Sequence, residues 1–314
     1  MKKLSVLLLA CGLTLGAWPA LGFTVSINQF VEHPSLDNAV QGFKDALKER
    51  GLEVVYKEHN AQGNMPTVLQ IVNQIVGEQP DLVLCVATPS AQATVEKIKT
   101  TPVLFTAVTD PVVSGLVTSL DSPGANVTGT TDMNPVAEQV ALIRELQPQA
   151  KTLGVLYNSG EINSQVQVKL VKKAAAKLGF KLYEGVTPNT SGVYQAAQSL
   201  VGKVDAIYLP TDNTVISSFE SVIKVSLDHK LPIYPAEDNS IRKAGVAVLS
   251  INYYELGRQT GVMAANILQG QAKPADVPVE GQLNPNLIVN AGYAAQIGLT
   301  VPQAVLDRAK EIIK

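Results

Sequence analysis

Short polar loops that follow apolar, strand-like runs are the places in this sequence where side chains could bind a ligand. Six such loops occur, at Gln29–Ser35, Thr88–Ser90, Thr106–Asp110, Asn158–Ser164, Thr211–Thr214 and Glu237–Ser240. In an open α/β sheet, ligands bind outside the carboxyl ends of the strands. Three of the loops fall in each half of the chain, so together they predict a ligand cleft between two lobes.

In the first half, Thr88, Ser90 and Thr109 are candidates for binding a carboxylate. The segment Thr88-Pro89-Ser90 follows a strand-like run and begins a helical pattern. The free N–H groups and the dipole at such a helix start attract an anion. The alternative is that Thr88 and Ser90 only cap the helix, and capping is expected in either case. Thr109 follows the next strand-like run and could donate to a ligand carboxylate, with a purely structural turn as the alternative.

Two further candidates in the first half, His33 and Asp110, have ordinary structural alternatives. His33 could donate to a ligand or simply pack before the helix that follows it. No partner at catalytic spacing makes it a general base. Asp110 precedes Pro111, and an Asp at that position commonly initiates a turn.

In the second half, Asp212 and Asp238 are the candidates for binding an ammonium group. An ammonium that is desolvated on binding needs a carboxylate partner, because an unpaired buried charge is very costly. Asn158, Glu161 and Asn213 lie in the same set of polar loops and add hydrogen-bonding capacity. The alternatives are helix caps for the two aspartates and a solvated loop around Glu161.

The sequence lacks the common motifs for catalysis, for metal binding and for nucleic-acid binding. It contains no G-x-S-x-G elbow, P-loop or G-x-G-x-x-G motif, and its three histidines are scattered. Its two cysteines have no metal-ligand spacing, and Cys85 lies in an apolar strand-like run. The formal net charge is −2 and there is no Arg-rich run. We therefore expect no catalytic residue, metal, cofactor or nucleic-acid partner.

The N-terminus has the pattern of a secretory leader. A positive start, Lys2-Lys3, precedes the mostly apolar run Leu4–Leu15, and Ala20-Leu21-Gly22 offers small residues for a signal peptidase. The run is too short for a convincing membrane span. A lipoprotein modified at Cys11 is the alternative, but few apolar residues precede that cysteine. We expect a periplasmic protein.

About 290 residues follow the leader, more than one hydrophobic core usually holds, so two lobes are expected. Helical periodicity alternates with continuous apolar runs, which is typical of an α/β fold with parallel sheets. Ser35 is expected to cap the first helix, and a single helix is expected over 215–229. The expected division is a signal peptide at 1–22, a first lobe of 23–129 plus 252–278, and a second lobe of 130–251 plus 279–314.

The chain resembles one family, the ABC transporter substrate-binding proteins that include tryptophan and tyrosine binders. Seven segments carry this resemblance, namely Gln29–Gly51, Pro80–Ala93, Pro102–Val117, Pro123–Asp132, Leu153–Ser164, Leu209–Val215 and Tyr253–Gly261. The resemblance implies the type I periplasmic-binding fold, with two Rossmann-like lobes and the ligand in the cleft between them. It also implies an amino-acid ligand, often aromatic, that a monomer delivers to a membrane permease driven by an ATPase.

The resemblance also implies roles for the candidate residues. Thr88, Ser90 and Thr109 would hold the ligand carboxylate, with Asn158 and Glu161 near the ligand. The two carboxylates named above would approach its ammonium. Two other functions remain open at this point, because a fold does not fix a function. One is a ligand sensor for a membrane receptor, and the other is an exported α/β hydrolase.

The leader makes a prediction about the exported protein. Cleavage after Gly22 should leave Phe23 as the first residue, which intact-mass measurement and N-terminal sequencing of protein from the producing cells would detect. A chain that instead begins at a lipid-modified Cys11 would show that the lipoprotein alternative is correct.

Overall fold

The computed structural model describes residues 22–282 and 284–314. The leader and Cys11 lie outside the described residues, except for Gly22. Among the described helices, none is both long enough and apolar enough to cross a membrane.

The first half of the chain forms strand–helix units in regular alternation. Its elements are β1 (Phe23–Gln29), α1 (Pro34–Glu49), β2 (Val54–Asn60), α2 (Met65–Glu78), β3 (Leu82–Val86), α3 (Thr88–Lys97), β4 (Val103–Val108) and β5 (Val127–Thr131). Every residue of β3 and β4 is buried, as expected for parallel strands covered by helices on both faces.

The second half repeats this alternation. Its elements are α4 (Val136–Leu146), β6 (Thr152–Tyr157), α5 (Ile162–Lys177), β7 (Lys181–Val186), α6 (Val193–Gln198), β8 (Ala206–Leu209), α7 (Asn213–Ser217), α8 (Phe219–His229), β9 (Ile233–Pro235), α9 (Asp238–Lys243) and β10 (Ala247–Ser250). The single helix expected over 215–229 is wrong, because Ser218 separates α7 from α8.

The last part of the chain returns to both halves. Its elements are α10 (Tyr253–Leu268), β11 (Glu280–Gly281), β12 (Asn286–Asn290), α11 (Ala291–Gln296), α12 (Gln303–Leu306) and β13 (Glu311–Ile313). Helix α10 packs with the first half, whereas β12 pairs with β10 and α11 joins the core of the second half.

Two parallel sheets and two separate hydrophobic cores make the two lobes. The first sheet has the strand order β11-β5-β4-β3-β1-β2 and the second has the order β7-β6-β8-β9. A small third sheet, β10-β12-β13, adjoins the second lobe. The predicted α/β architecture with two lobes is confirmed by these sheets.

Sheet membership gives the positions at which the chain leaves each lobe. Strand β5 continues to Thr131 in the first sheet, and the short β11 pairs with it through Glu280 and Gly281. The sheet of the first lobe therefore extends two to three residues beyond the expected boundaries at 129 and 278. We infer from these strand ends that the chain crosses between the lobes just after Thr131, at 251–252 and after Gly281.

Helices α1 and α10 pack against each other with their backbones in close approach. Three glycines make this possible, because a Cβ on Gly42 or Gly257 would overlap the backbone of the facing helix, and one on Gly261 would come within 2.6 Å of the Phe43 carbonyl oxygen. For Gly257 the overlapping atom is the Ala39 carbonyl oxygen. The two helices therefore behave as one rigid unit of the first lobe.

This packing predicts a strong effect of a single methyl group. Substituting Gly257 by Ala should lower the free energy of unfolding by about 3 kcal/mol, because neither backbone can yield without moving a whole helix. Urea denaturation monitored by circular dichroism would measure it. The matched control is Gly77→Ala in α2, where a Cβ meets no atom within 4 Å. There the change should be neutral or slightly stabilising, and equal losses in both variants would contradict the packing argument.

Candidate functional site

A small cavity lies between the lobes, at the carboxyl ends of the strands of both sheets. The first lobe and its crossings line it with His33, Leu36, Ala107, Thr109, Asp132 and Tyr253, and the second lobe lines it with Asn163, Thr211, Asn213 and Glu237. The volume of this cavity is only about 10 Å³. The cleft is thus closed tightly around its polar lining.

The lobes contact each other directly beside this cavity. The Ser35 hydroxyl at the start of α1 donates to Glu237 Oε2 across the cleft at 2.6 Å. Asn38 Nδ2 donates to Asn239 Oδ1 at 2.9 Å. Ser35 is therefore engaged with the other lobe and does not cap α1, whose N-cap is His33 without a side-chain hydrogen bond. The capping expectation for Ser35 is wrong.

A larger groove of about 490 Å³ lies elsewhere, on the second lobe between α4 and the strands β10 and β12. Its lining mixes apolar side chains such as Leu142 and Leu287 with charged ones such as Arg308, which pairs with Glu145. It does not lie between the facing strand ends, where a ligand would contact both lobes. We therefore take the smaller cavity as the candidate site.

Asp132 joins three elements at the first-lobe side of the cavity. It follows β5 directly, and its carboxylate accepts hydrogen bonds from Thr109 Oγ1 at 2.9 Å and from the Tyr253 hydroxyl at 2.8 Å. Burial raises the pKa of this carboxyl group, and the two hydrogen bonds act in the opposite direction. Thr109 also approaches Thr211 of the other lobe at 3.4 Å.

Glu237 is the carboxylate on the second-lobe side. Its side chain is almost fully buried, and Ser35 is the residue that donates to it. Burial first, and then the nearby charges of Asp132, Asp238 and Asp212, together raise the pKa of Glu237 to about 8. No lysine or arginine is among the described residues that line the cavity. The cavity is therefore acidic and suits a cationic group.

Glu161 and Asp212 lie behind the cavity and organise the second-lobe loops. Asp212 caps α7 through Val215 N–H at 2.8 Å and also accepts from Ser164 Oγ and the Asn158 N–H, each at 2.6 Å. The cap interpretation of Asp212 is thus the one that its contacts favour. Burial, followed by the charge of Glu161, raises the pKa of Asp212 to about 7.

The hydrogen bonds of Glu161 fix two polar residues next to the ligand space. Its carboxylate accepts from the N–H groups and the side chains of Asn213 and Thr214, and from Asn163 Nδ2 at 3.1 Å. Asn163 Oδ1 is buried and has no hydrogen-bond partner among the described residues. Thr211 is held in place by Gln167, whose side chain bonds both its hydroxyl and its N–H.

His33 lies at the opposite wall of the cavity. Burial lowers its pKa to about 4, so the ring is neutral near pH 7. Its Nδ1 atom is buried without a hydrogen-bond partner among the described residues. A neutral imidazole with one unengaged nitrogen can donate a hydrogen bond to a ligand or accept one from it, depending on the tautomer.

The start of α3 is shaped by backbone strain instead of by a capping side chain. Its N-cap is Ala87, at φ +77°, and no side chain caps the helix. The capping expectation for Thr88 and Ser90 is therefore wrong. The buried Thr88 hydroxyl has no partner among the described residues, and Ser90 Oγ donates to Asn28 Oδ1 at 3.4 Å. Ala107, at the end of β4, also has positive φ and lines the cavity, and such strain tends to cluster at functional sites.

The structure brings three of the ten predicted site residues into the lining of the cavity, namely His33, Thr109 and Asn213. The other seven lie outside that lining: Thr88, Ser90, Asp110, Asn158, Glu161, Asp212 and Asp238. Asp110 accepts from the Val113 N–H at 3.0 Å, as a turn residue does. Asp238 is the first residue of α9 and accepts from Asn239 Nδ2 at 2.9 Å.

Sequence reasoning did not select seven residues that line the cavity, namely Leu36, Ala107, Asp132, Asn163, Thr211, Glu237 and Tyr253. Most of them lie within the polar loops named above, one or two positions from a selected residue. Asp132 and Tyr253 instead lie at crossings between the lobes. These two residues could have been selected from the family resemblance, because Asp132 ends the segment Pro123–Asp132 and Tyr253 begins the segment Tyr253–Gly261.

The network around Glu161 predicts a stability effect. In Glu161→Gln, whichever oxygen becomes an amide N–H₂ group would face at least two hydrogen-bond donors. The free energy of unfolding should fall by about 2 kcal/mol, which urea denaturation would measure. The control is Glu138→Gln, at an exposed position of α4. If the two variants were equally stable, Glu161 would not organise these loops.

Two known proteins are similar to this chain over most of its length. A tyrosine-binding protein of Clostridioides difficile is 40% identical over 270 residues, which cover 85% of this chain and 78% of that protein. The crystal structure of an ABC domain in complex with L-Trp from Streptococcus pneumoniae is 38% identical, covers 93% of this chain and 100% of its own, and superposes with a TM-score of 0.90.

A third relative allows the arrangement of the two lobes to be compared. The ligand-free, open structure of a substrate-binding protein with adhesive properties from Clostridium difficile is 39% identical and covers 93% of this chain and 99% of its own, yet its TM-score is 0.68. The tryptophan complex and the open structure are almost equally identical to this chain in sequence, yet the tryptophan complex superposes with the higher TM-score. This difference agrees with the direct contacts between the lobes of this chain. Residues 24–313 match the family of ABC transporter substrate binding proteins. The chain belongs to this family.

Proposed function

We propose that this protein captures an aromatic L-amino acid, tyrosine or tryptophan, in the cleft between its lobes. The observation that carries the proposal is the acidic cavity formed by Asp132 and Glu237, whose lining contains no lysine or arginine among the residues that the structure describes. Two similar proteins have names that mention tyrosine and L-Trp, which supports the aromatic class.

The ammonium group of the ligand is assigned to Glu237. The oxygens of Asp212 already accept three hydrogen bonds within the second lobe. Asp132 is likewise engaged by two hydroxyl groups. Within the described part of the chain Glu237 has a single donor, Ser35, so it retains capacity for a charged partner. An ammonium beside it would compensate a buried carboxylate that otherwise lacks a counter-charge.

We assign the carboxylate of the ligand to neutral donors at the start of α3, which lies outside the lining of the closed cavity but follows β3, the strand paired with β4. Pro89 has no N–H, but Thr88 and Ser90 present theirs in the first turn, where the helix dipole favours an anion. The unengaged hydroxyl of Thr88 adds a donor. His33 and Asn163 have buried unpartnered atoms and complete the set of polar groups that could orient the ligand.

Binding proceeds by opening and closing of the lobes, without covalent chemistry. An aromatic amino acid is larger than the space that the closed cavity leaves free, so the ligand enters an open cleft and the lobes close on it. Closure is favoured by the ligand only to the extent that it binds the closed form better. Leu36 and Ala107 provide an apolar wall for its side chain.

The cellular role is delivery of this amino acid to the permease of an ABC importer, which a separate ATPase drives. The family supports this role, and the leader predicted from the sequence would place the protein outside the cytoplasmic membrane. The mature protein would act as a monomer, with the closed pair of lobes forming the surface that the permease contacts.

Calorimetry would test the ligand and its ammonium contact. L-tyrosine or L-tryptophan should bind the mature chain, and 3-(4-hydroxyphenyl)propanoate, which lacks the amine, should bind at least about tenfold more weakly than L-tyrosine. Glu237→Gln should weaken L-tyrosine binding by roughly tenfold or more, because the ammonium loses its charged partner. The same substitution should change binding of the amine-free compound much less.

Asp238→Asn is the matched comparison, since it neutralises the adjacent carboxylate outside the cavity lining. Its effect on L-tyrosine binding should be smaller than that of Glu237→Gln. Unfolding temperatures of all variants serve as the folding control. Full affinity of a folded Glu237→Gln protein would refute the ammonium assignment, and no binding of any aromatic amino acid by the unchanged protein would refute the ligand class.

A further inference from the structure

We infer that a proton on Glu237 can take the place of the ligand's ammonium, so that acidification closes the cleft without ligand and competes with the ligand for the same carboxylate. This inference rests on the proposed function, which places the ammonium at Glu237. It adds a property that ligand binding alone does not require, namely that closure of the ligand-free protein is coupled to proton uptake.

The first support is that closure itself buries Glu237. Its hydrogen-bond donor, Ser35, belongs to α1 of the other lobe, 202 positions earlier in the chain. Asn38, one turn further along α1, bonds Asn239 of the same second-lobe loop. Both contacts must break when the lobes separate, and the Glu237 carboxylate then faces water.

The second support is the charge of the groups around Glu237. Three neighbouring carboxylates repel it, namely Asp132 after β5, Asp212 before α7 and Asp238 in α9. The first cation of the helix that follows Glu237, Arg242 of α9, makes a bidentate ion pair with Glu311 at the surface.

The helices α1 and α10, which face Glu237 from the first lobe, supply no positive charge to its carboxylate from the groups described next. His33 at the start of α1 is kept neutral by burial, which lowers its pKa to about 4. Tyr253 of α10 donates its hydroxyl to Asp132. In the closed cleft, ionised Glu237 therefore has one neutral donor and no counter-charge, and a bound proton removes the charge altogether.

The direction of the pH dependence follows from linkage. Facing water in an open cleft, Glu237 should titrate near its ordinary value of 4.5, whereas burial in the closed cleft raises its pKa to about 8. The closed form therefore binds more protons between these values. The ratio of closed to open ligand-free protein should rise as pH falls through this window, by up to about tenfold per pH unit, and level off below it.

Small-angle X-ray scattering of the mature chain would test the inference. We expect the radius of gyration of the ligand-free protein to fall towards the value measured with saturating L-tyrosine as pH is lowered from about 8.5 to about 5. Glu237→Gln should be compact at every pH, because its neutral amide can remain bonded to Ser35. The control, Glu220→Gln, removes an exposed carboxylate of the same lobe and should behave as the unchanged protein.

Several outcomes would overturn the inference. A radius of gyration that does not change with pH, or a Glu237→Gln protein that opens at high pH as the unchanged protein does, would each do so. Ser35→Ala provides a second variant if Glu237→Gln fails to fold. It removes the contact between lobes and should move acid compaction to lower pH, and compaction at unchanged pH would count against the inference.

Calorimetry on the same samples separates this inference from the proposed function. Binding of L-tyrosine or L-tryptophan near pH 8 without any acid compaction would leave the proposed function intact and remove the inference. Acid compaction that depends on Glu237, without binding of either amino acid, would retain the proton-coupled closure and remove the proposed ligand.

Discussion

The cost of burying carboxylates without a cation is the constraint around which this cleft is organised. An ionised carboxylate away from water needs hydrogen bonds or a counter-charge, and no lysine or arginine is found among the described residues that line the cavity. Asp212 and Glu161 meet the requirement with N–H and side-chain donors of their own lobe. Asp132 meets it with two hydroxyl groups. Glu237 meets it least, and this difference distinguishes a structural carboxylate from one available to a ligand.

The first lobe presents its part of the site on a rigid frame. Close backbone packing of α1 and α10 through Gly42, Gly257 and Gly261 leaves no room for a side chain between the helices. Helix α1 begins beside the cavity with His33 and Ser35, and α10 begins with Tyr253 at a crossing between the lobes. Groups on two distant segments are thereby held at fixed separation, so that closing the cleft moves one rigid surface against another.

The second lobe places its groups through short helices and loops that the buried carboxylates hold. Glu161 fixes Asn163 and Asn213, and Gln167 fixes Thr211, so each of these three residues has a hydrogen-bond partner behind the cavity. These supporting hydrogen bonds orient the polar groups before a ligand arrives. A donor that is already oriented loses little conformational freedom on binding. Closure then depends on a few contacts between the lobes and on whatever compensates Glu237.

Hydrophobic patterning along the chain is enough to predict the two-lobe α/β architecture and the loops that meet at the cleft. Hydrophobic periodicity is a local property, and parallel strands with helical crossovers bring their carboxyl ends to one edge whatever the details of the loops. His33, Thr109 and Asn213 could be selected on this basis, and they lie in the cavity. Family membership, too, could be inferred from segments in their order along the chain.

Which polar side chain in each loop faces the ligand space depends on how the folded segments pack together. Between neighbours such as Glu237 and Asp238, the choice depends on where the following helix begins, because side-chain direction turns by about 100° per helical residue. It also depends on partners that are distant in sequence, such as Ser35 for Glu237 and Tyr253 for Asp132. Loop patterns encode neither, since these pairings arise only when separate segments pack together.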